Sequence, residues 1–134
     1  MSAKKILIID DEKDFCFFTK KNLEQRADFT VLVATHPDKG IGTARRESPD
    51  LILLDISMPS KDGFAVLEIL KRDTKTMGIP IVIVSAVEGD DAKMRAAGLY
   101  GEGYLTKPVT AEELAVTIEG VFRRRNRSGE VRVR

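Results

Sequence analysis

The chain of 134 residues has no tryptophan, one histidine and one cysteine. No apolar run approaches the roughly 20 residues a bilayer-spanning helix needs. After Met1-Ser2-Ala3-Lys4-Lys5, only Ile6-Leu7-Ile8-Ile9 precede an acidic pair, too few for a signal-peptide core. These absences argue against membrane insertion and export, and they predict a cytoplasmic protein. Cys16 lies amid Phe15, Phe17 and Phe18 on a predicted helix and reads as a buried, inert thiol, not a redox centre. His36 precedes Pro37 in a predicted loop, whereas a phosphate-relaying histidine belongs on an exposed helical face, so it reads as an ordinary exposed side chain. Gly40-Ile41-Gly42 lacks the third glycine and the ribose-binding acid of a dinucleotide loop.

What is present fits one soluble globular domain: 43% hydrophobic and 32% charged residues in 14.9 kDa. The charge is unevenly spread. Residues 123–134 carry six Arg and one Glu, a net +5, which leaves −4 on residues 1–122 of a chain whose total is +1. The division is therefore a folded unit over residues 1–122 and a basic tail over 123–134. The tail reads first as a solvated, frayed terminus. A handle for an acidic partner or a linker stands second, and the lack of aromatics in it disfavours nucleic acid.

Strand and helix patterns alternate five times. Strands are predicted over 4–10, 29–35, 51–55, 80–85 and up to 106. Helices are predicted over 12–26, 37–47 with Pro37 in the first turn, 64–71, near 90–97, and from 110 onward. Phe64, Leu67 and Leu70 share one helical face, as do Leu114, Ile118 and Val121. The helix near 90–97 offers only Ala92, Met94, Ala96 and Ala97 as apolar contacts, which marks an element that moves readily. Thr110 followed three residues later by Glu113 is a capping-box signature. Short connections between alternating elements imply an α/β fold, a five-stranded parallel sheet with helices on both faces.

Four of the apolar runs end in polar residues. Ile6-Leu7-Ile8-Ile9 ends in Asp10-Asp11, Leu51-Ile52-Leu53-Leu54 in Asp55, Ile81-Val82-Ile83-Val84 in Ser85, and Tyr104-Leu105-Thr106 in Lys107-Pro108. Open parallel sheets place ligand sites beyond the carboxyl ends of their strands, where the strand order reverses. Three carboxylates brought together there repel one another and call for a cation. An oxygen-only donor set suits Mg²⁺, which keeps waters and accepts phosphate oxygens. Asp55 is then the nucleophile, a carboxylate able to form an aspartyl phosphate. Lys107 supplies a second positive charge, and Ser85 a hydroxyl for a phosphoryl oxygen.

Together these motifs resemble the receiver domain of two-component response regulators, over roughly residues 4–122. The residues that carry the resemblance are Ile8-Ile9-Asp10-Asp11, Leu53-Leu54-Asp55-Ile56-Ser57-Met58-Pro59 with Asp62-Gly63, Val84-Ser85-Ala86 and Tyr104-Leu105-Thr106-Lys107-Pro108. The separations of 44, 30 and 22 residues between Asp11, Asp55, Ser85 and Lys107 match as well. The resemblance implies a flavodoxin-like doubly wound sheet of order 2-1-3-4-5 and a chemotaxis-type single-domain regulator. It implies that Asp55 accepts a phosphoryl group from a histidine kinase or histidine phosphotransfer protein. Asp11, Asp55 and the backbone carbonyl of Ser57 would hold Mg²⁺ directly, with Asp10 acting largely through water. Ser85 and Tyr104 would form a switch pair that reshapes the face of the helix near 90–97, the fifth strand and the last helix, where a downstream protein target docks. Val87 stands two residues beyond the switch hydroxyl and cannot hydrogen-bond an attacking water, so slow hydrolysis is expected. A receiver piece of a longer regulator is the alternative, with the Arg-rich segment as a linker. An aspartate-nucleophile phosphatase is a further one, weakened because such enzymes carry a second Asp where Ser57 stands.

Overall fold

The structure is a computed structural model that describes residues 3–26, 28–58, 62–86 and 102–133, with side chains through residue 126. The five strands are β1 (Lys4–Ile9), β2 (Phe29–Ala34), β3 (Leu51–Leu54), β4 (Ile81–Ser85) and β5 (Gly103–Thr106). The described helices are α1 (Lys13–Arg26), α2 (Pro37–Glu47), α3 (Gly63–Arg72) and a C-terminal helix (Ala111–Val133). The strands form one parallel sheet in the order β2-β1-β3-β4-β5. The strand order reverses at β1, between β2 and β3, so a crevice opens at the carboxyl ends of β1 and β3.

Successive strand residues feed opposite faces, as the two-residue period of a strand requires. Leu7, Ile9, Ile52, Leu54, Ile81 and Ile83 pack with Ala44, Phe64, Leu67 and Leu70 of α2 and α3. Ile6, Ile8, Leu51, Leu53, Val82 and Val84 pack with Cys16, Leu23, Leu114, Ile118 and Val121 of α1 and the C-terminal helix. Both faces are thus covered, which explains why the central strands are continuous apolar runs.

Two glycines are fixed by packing. A Cβ at Gly40 would lie 2.7 Å from Ile9 side-chain atoms, so the glycine lets α2 approach β1 closely and has no part in a nucleotide loop. A Cβ at Gly63 would lie 2.1 Å from Ile56 Cα, where α3 starts directly against the chain leaving β3. Asp62 caps that start, its Oδ1 accepting from Phe64 N at 3.0 Å. The capping box at Thr110 forms in both directions. Glu113 N donates to Thr110 Oγ1 at 3.0 Å, and Glu113 Oε1 accepts from Thr110 N at 3.2 Å.

One expectation changes. Residues 123–133 continue the C-terminal helix, where a frayed terminus was predicted. Arginine is a good helix former and no proline interrupts the run, so the backbone has no local reason to stop at 122. The predicted helix near 90–97, Val87, and the Pro59-Ser60-Lys61 stretch lie outside the described residues. No helix among the described residues is long and apolar enough to cross a membrane.

Candidate functional site

Asp10 and Asp55 each follow the last residue of a buried strand, and adjacent strands bring them together. Asp10 N donates to Ala34 O at 3.1 Å and Asp55 N to Ile9 O at 3.0 Å, which extends the ladder one residue past the strands. Asp10 is 1% exposed and Asp55 3%, while Asp11 faces outward at the rim. Ligand oxygens of Asp10, Asp11 and Asp55 lie within 4.8 Å of one another. Such a cluster of hard oxygen donors fits a Mg²⁺ ion that retains waters.

Lys107 enters from the opposite edge. Its backbone N donates to Ser85 O at 2.9 Å, which carries β4–β5 pairing to the edge of the pocket. The side chain is only 11% exposed, and its Nζ donates to Asp10 Oδ2 at 2.8 Å and to Glu12 Oε1. Asp55 Oδ2 is 3.6 Å away, an ion pair too long for a hydrogen bond. The ammonium also stands 4.2 Å from the centroid of the Phe15 ring, a cation–π contact. Lys107 is therefore no solvated loop lysine.

Ser57 and Ser85 complete the other side. Asp55 Oδ1 accepts from Ser57 N at 2.8 Å and from Ser57 Oγ at 2.7 Å. Ser85, wholly buried, donates from its Oγ to Ser57 Oγ at 3.2 Å. A hydroxyl chain thus runs from Ser85 through Ser57 to Asp55. Tyr104, paired in register with Ile83, is half-buried against the α2–α3 side of the core. Asp10, Asp11, Asp55, Ser57, Ser85 and Lys107 lie at or beside the carboxyl edge of the sheet, whereas Tyr104 sits within β5, two residues before its end.

Burial sets the electrostatics. It pushes the Asp10 carboxyl up to about 6, even though Lys107 and Glu12 N oppose the shift, and the Asp55 charge adds to it. Burial alone would lower Lys107, but its bonds to Asp10 and Glu12 outweigh that and raise it, so the ammonium stays charged. Burial, then the Asp55 charge, raises the Tyr104 hydroxyl. The Cys16 thiol beneath the pocket donates to Asp10 O at 3.3 Å and is pushed up to about 12, chiefly by burial. The pocket is short of positive charge, which a divalent cation would supply.

Two participants escape the sequence reading. Glu12 reads only as a helix-starting acid, although its place directly after Asp10-Asp11 was the available signal. Phe15 reads only as an apolar helix residue. His36, as expected, is exposed. Its Nδ1 accepts from Asp38 N at 3.3 Å and caps α2.

Comparison with known proteins agrees with this geometry. The response regulator receiver domain family matches residues 6–119, and the chain belongs to that family. Its members are signal-transducing phosphoacceptor domains of two-component systems, not conventional enzymes. The chain is 36% identical to PilH of Pseudomonas aeruginosa over 118 residues, covering 88% of this chain and 97% of that protein. It is also 36% identical over 123 residues to RpaA of Synechocystis, a DNA-binding dual master transcriptional regulator, covering 92% of this chain and 51% of that one. The chain spans about half the length of RpaA and of the PhoP and PhoB regulators it also matches. A two-component response regulator from Clostridium difficile superposes with a TM-score of 0.84 at 31% identity, covering 92% of this chain and 98% of that one. A CheY-like receiver from Methanospirillum hungatei, 24% identical, has the same fold, with a TM-score of 0.87 over 95% of this chain and 99% of that one.

Proposed function

We propose that this chain is a stand-alone receiver that takes a phosphoryl group onto Asp55 from a phosphohistidine on a histidine kinase or histidine phosphotransfer protein. The observation that carries the reading is the convergence of Asp10, Asp11, Asp55 and Lys107 in one crevice. An Asp55 oxygen attacks phosphorus, the P–N bond breaks, and the imidazole nitrogen leaves with the electron pair and takes up a proton. Asp11, Asp55 and the Ser57 carbonyl would hold Mg²⁺ directly, and Asp10 would act largely through water. Such an ion would supply positive charge to offset that on the phosphoryl oxygens. Lys107 steadies one of those oxygens, and the Ser85 hydroxyl turns from Ser57 toward another.

Ser85 and Tyr104 form the switch. Movement of the hydroxyl vacates space beside β5, and the Tyr104 ring rotates into it. That reshapes the face of β5 and the C-terminal helix for a downstream protein partner. It is a two-state equilibrium biased by one covalent charge. PilH, matched over nearly its whole length, supports the stand-alone form. The half-length matches favour a second reading, a receiver within a longer regulator. Ser57 at the position of the phosphatases' second Asp weighs against small-molecule turnover.

Acetyl phosphate with Mg²⁺ should add one phosphoryl group by mass spectrometry, and Asp55→Ala should abolish it. Unmodified wild-type protein, or an equally modified variant, would refute the assignment.

A further inference from the structure

The Lys107 ammonium has three N–H bonds, and the resting pocket uses them unequally. One goes to Asp10 Oδ2 at 2.8 Å and one to Glu12 Oε1, while Asp55 Oδ2 at 3.6 Å lies outside hydrogen-bond reach. The Phe15 ring lies 4.2 Å away. Glu12 directly precedes α1, its carbonyl accepting from Cys16 N at 3.0 Å, so it and Phe15 three residues on project from one side of the first turn. Glu12 just before α1, Phe15 in its first turn and Asp10 just past β1 thus fix the amine, and the acceptor adds only the longer ion pair at 3.6 Å.

A cation held among Asp10, Asp11 and Asp55, whose ligand oxygens lie within 4.8 Å of one another, would compete with the amine for Asp10, so a second anchor is needed when the pocket is filled. Glu12 is outside the three-carboxylate cluster and 59% exposed at its side chain, free to keep its hold. We infer that Glu12 is a positioning residue that keeps the Lys107 ammonium at the pocket rim, with its third N–H held for the oxygen that arrives at Asp55. This rests on the phosphoacceptor reading and adds a residue that acts through Lys107 without touching the phosphoryl group.

The test uses the full chain and Glu12→Gln, which keeps length and shape and removes the charge. The ¹⁵N-ammonium signal of Lys107, recorded without phosphodonor, is expected to be sharp in the wild type and broadened by faster solvent exchange in the variant. Uptake from acetyl phosphate at saturating Mg²⁺ should slow by about threefold to fivefold, the range one partly exposed ion pair supplies. An unchanged ammonium signal overturns the proposal. So does a rate deficit that vanishes at saturating Mg²⁺, which would assign Glu12 to cation binding instead. Failure of the wild type to take up phosphate would sink the phosphoacceptor reading, while the ammonium spectrum would still judge the Glu12–Lys107 contact.

Discussion

Lys107 and Asp10 are 97 positions apart in the chain, yet their charged atoms meet at 2.8 Å, both almost wholly shielded from water. The pair joins the two ends of the domain, β1 and the segment after β5, across the pocket. Lys107→Met keeps the aliphatic stem and removes the charge, leaving Asp10 buried without its cation. Losing one partner of such a pair destabilises by several kcal/mol. Asp10 can relieve part of this by taking up a proton, so a loss of roughly 2 kcal/mol is expected in urea unfolding. Added Mg²⁺ should recover part of it. Unchanged stability would mean that the pair contributes nothing net.

Gly63 has a different task, since a Cβ there would overlap Ile56 Cα at 2.1 Å. Backbone cannot yield as a flexible side chain can. Gly63→Ala should lower the stability by about 3 kcal/mol, the upper end of overpacking effects. It should also disturb the loop from Asp55 to α3. Thermal unfolding reads the first effect, and loss of acetyl phosphate uptake the second. Wild-type values on both would show that α3 can draw back.

Cys16 is 2% exposed and its thiol is pushed up to about 12. The thiolate is the reactive form, so the native protein should resist iodoacetamide at pH 8. In urea the same thiol should be modified at the rate of a free cysteine. Rapid labelling of the native state would mean that α1 opens readily from the sheet.

Val87 lies two residues beyond Ser85 and brings no polar atom to an attacking water. Val87→Glu should shorten the lifetime of the phosphorylated form several-fold, measured by loss of the modified mass after donor removal. A lifetime untouched by this change would remove the idea that position 87 governs hydrolysis here.

The sheet was readable because its strands are buried on both faces and so appear as uninterrupted apolar runs, each ending in a polar residue. Those endings located the pocket as well. Boundaries shifted by a residue, since Asp10 and Asp55 bond to neighbouring strands while standing just outside them. Other features left no usable trace. Phe15, Phe17 and Phe18 follow one another too closely for periodicity to sort them. Only Phe15 turns inward, while Phe17 and Phe18 stay 62% and 58% exposed with their rings edge to face. The run of acids from Asp10 to Glu12 signals a charged rim, but that both Asp10 and Glu12 hold Lys107 depends on side-chain reach across the crevice. The helical course of residues 123–133 was hidden by Gly129 and Ser128, residues that lower helix propensity without forbidding a helix.

Because alternate strand residues are locked into separate apolar layers above and below, the sheet has no slack side. Close-packed interiors resist compression, so a bulky anion bound at its margin meets an unyielding floor. Any displacement it caused would run along that margin, not into the sheet.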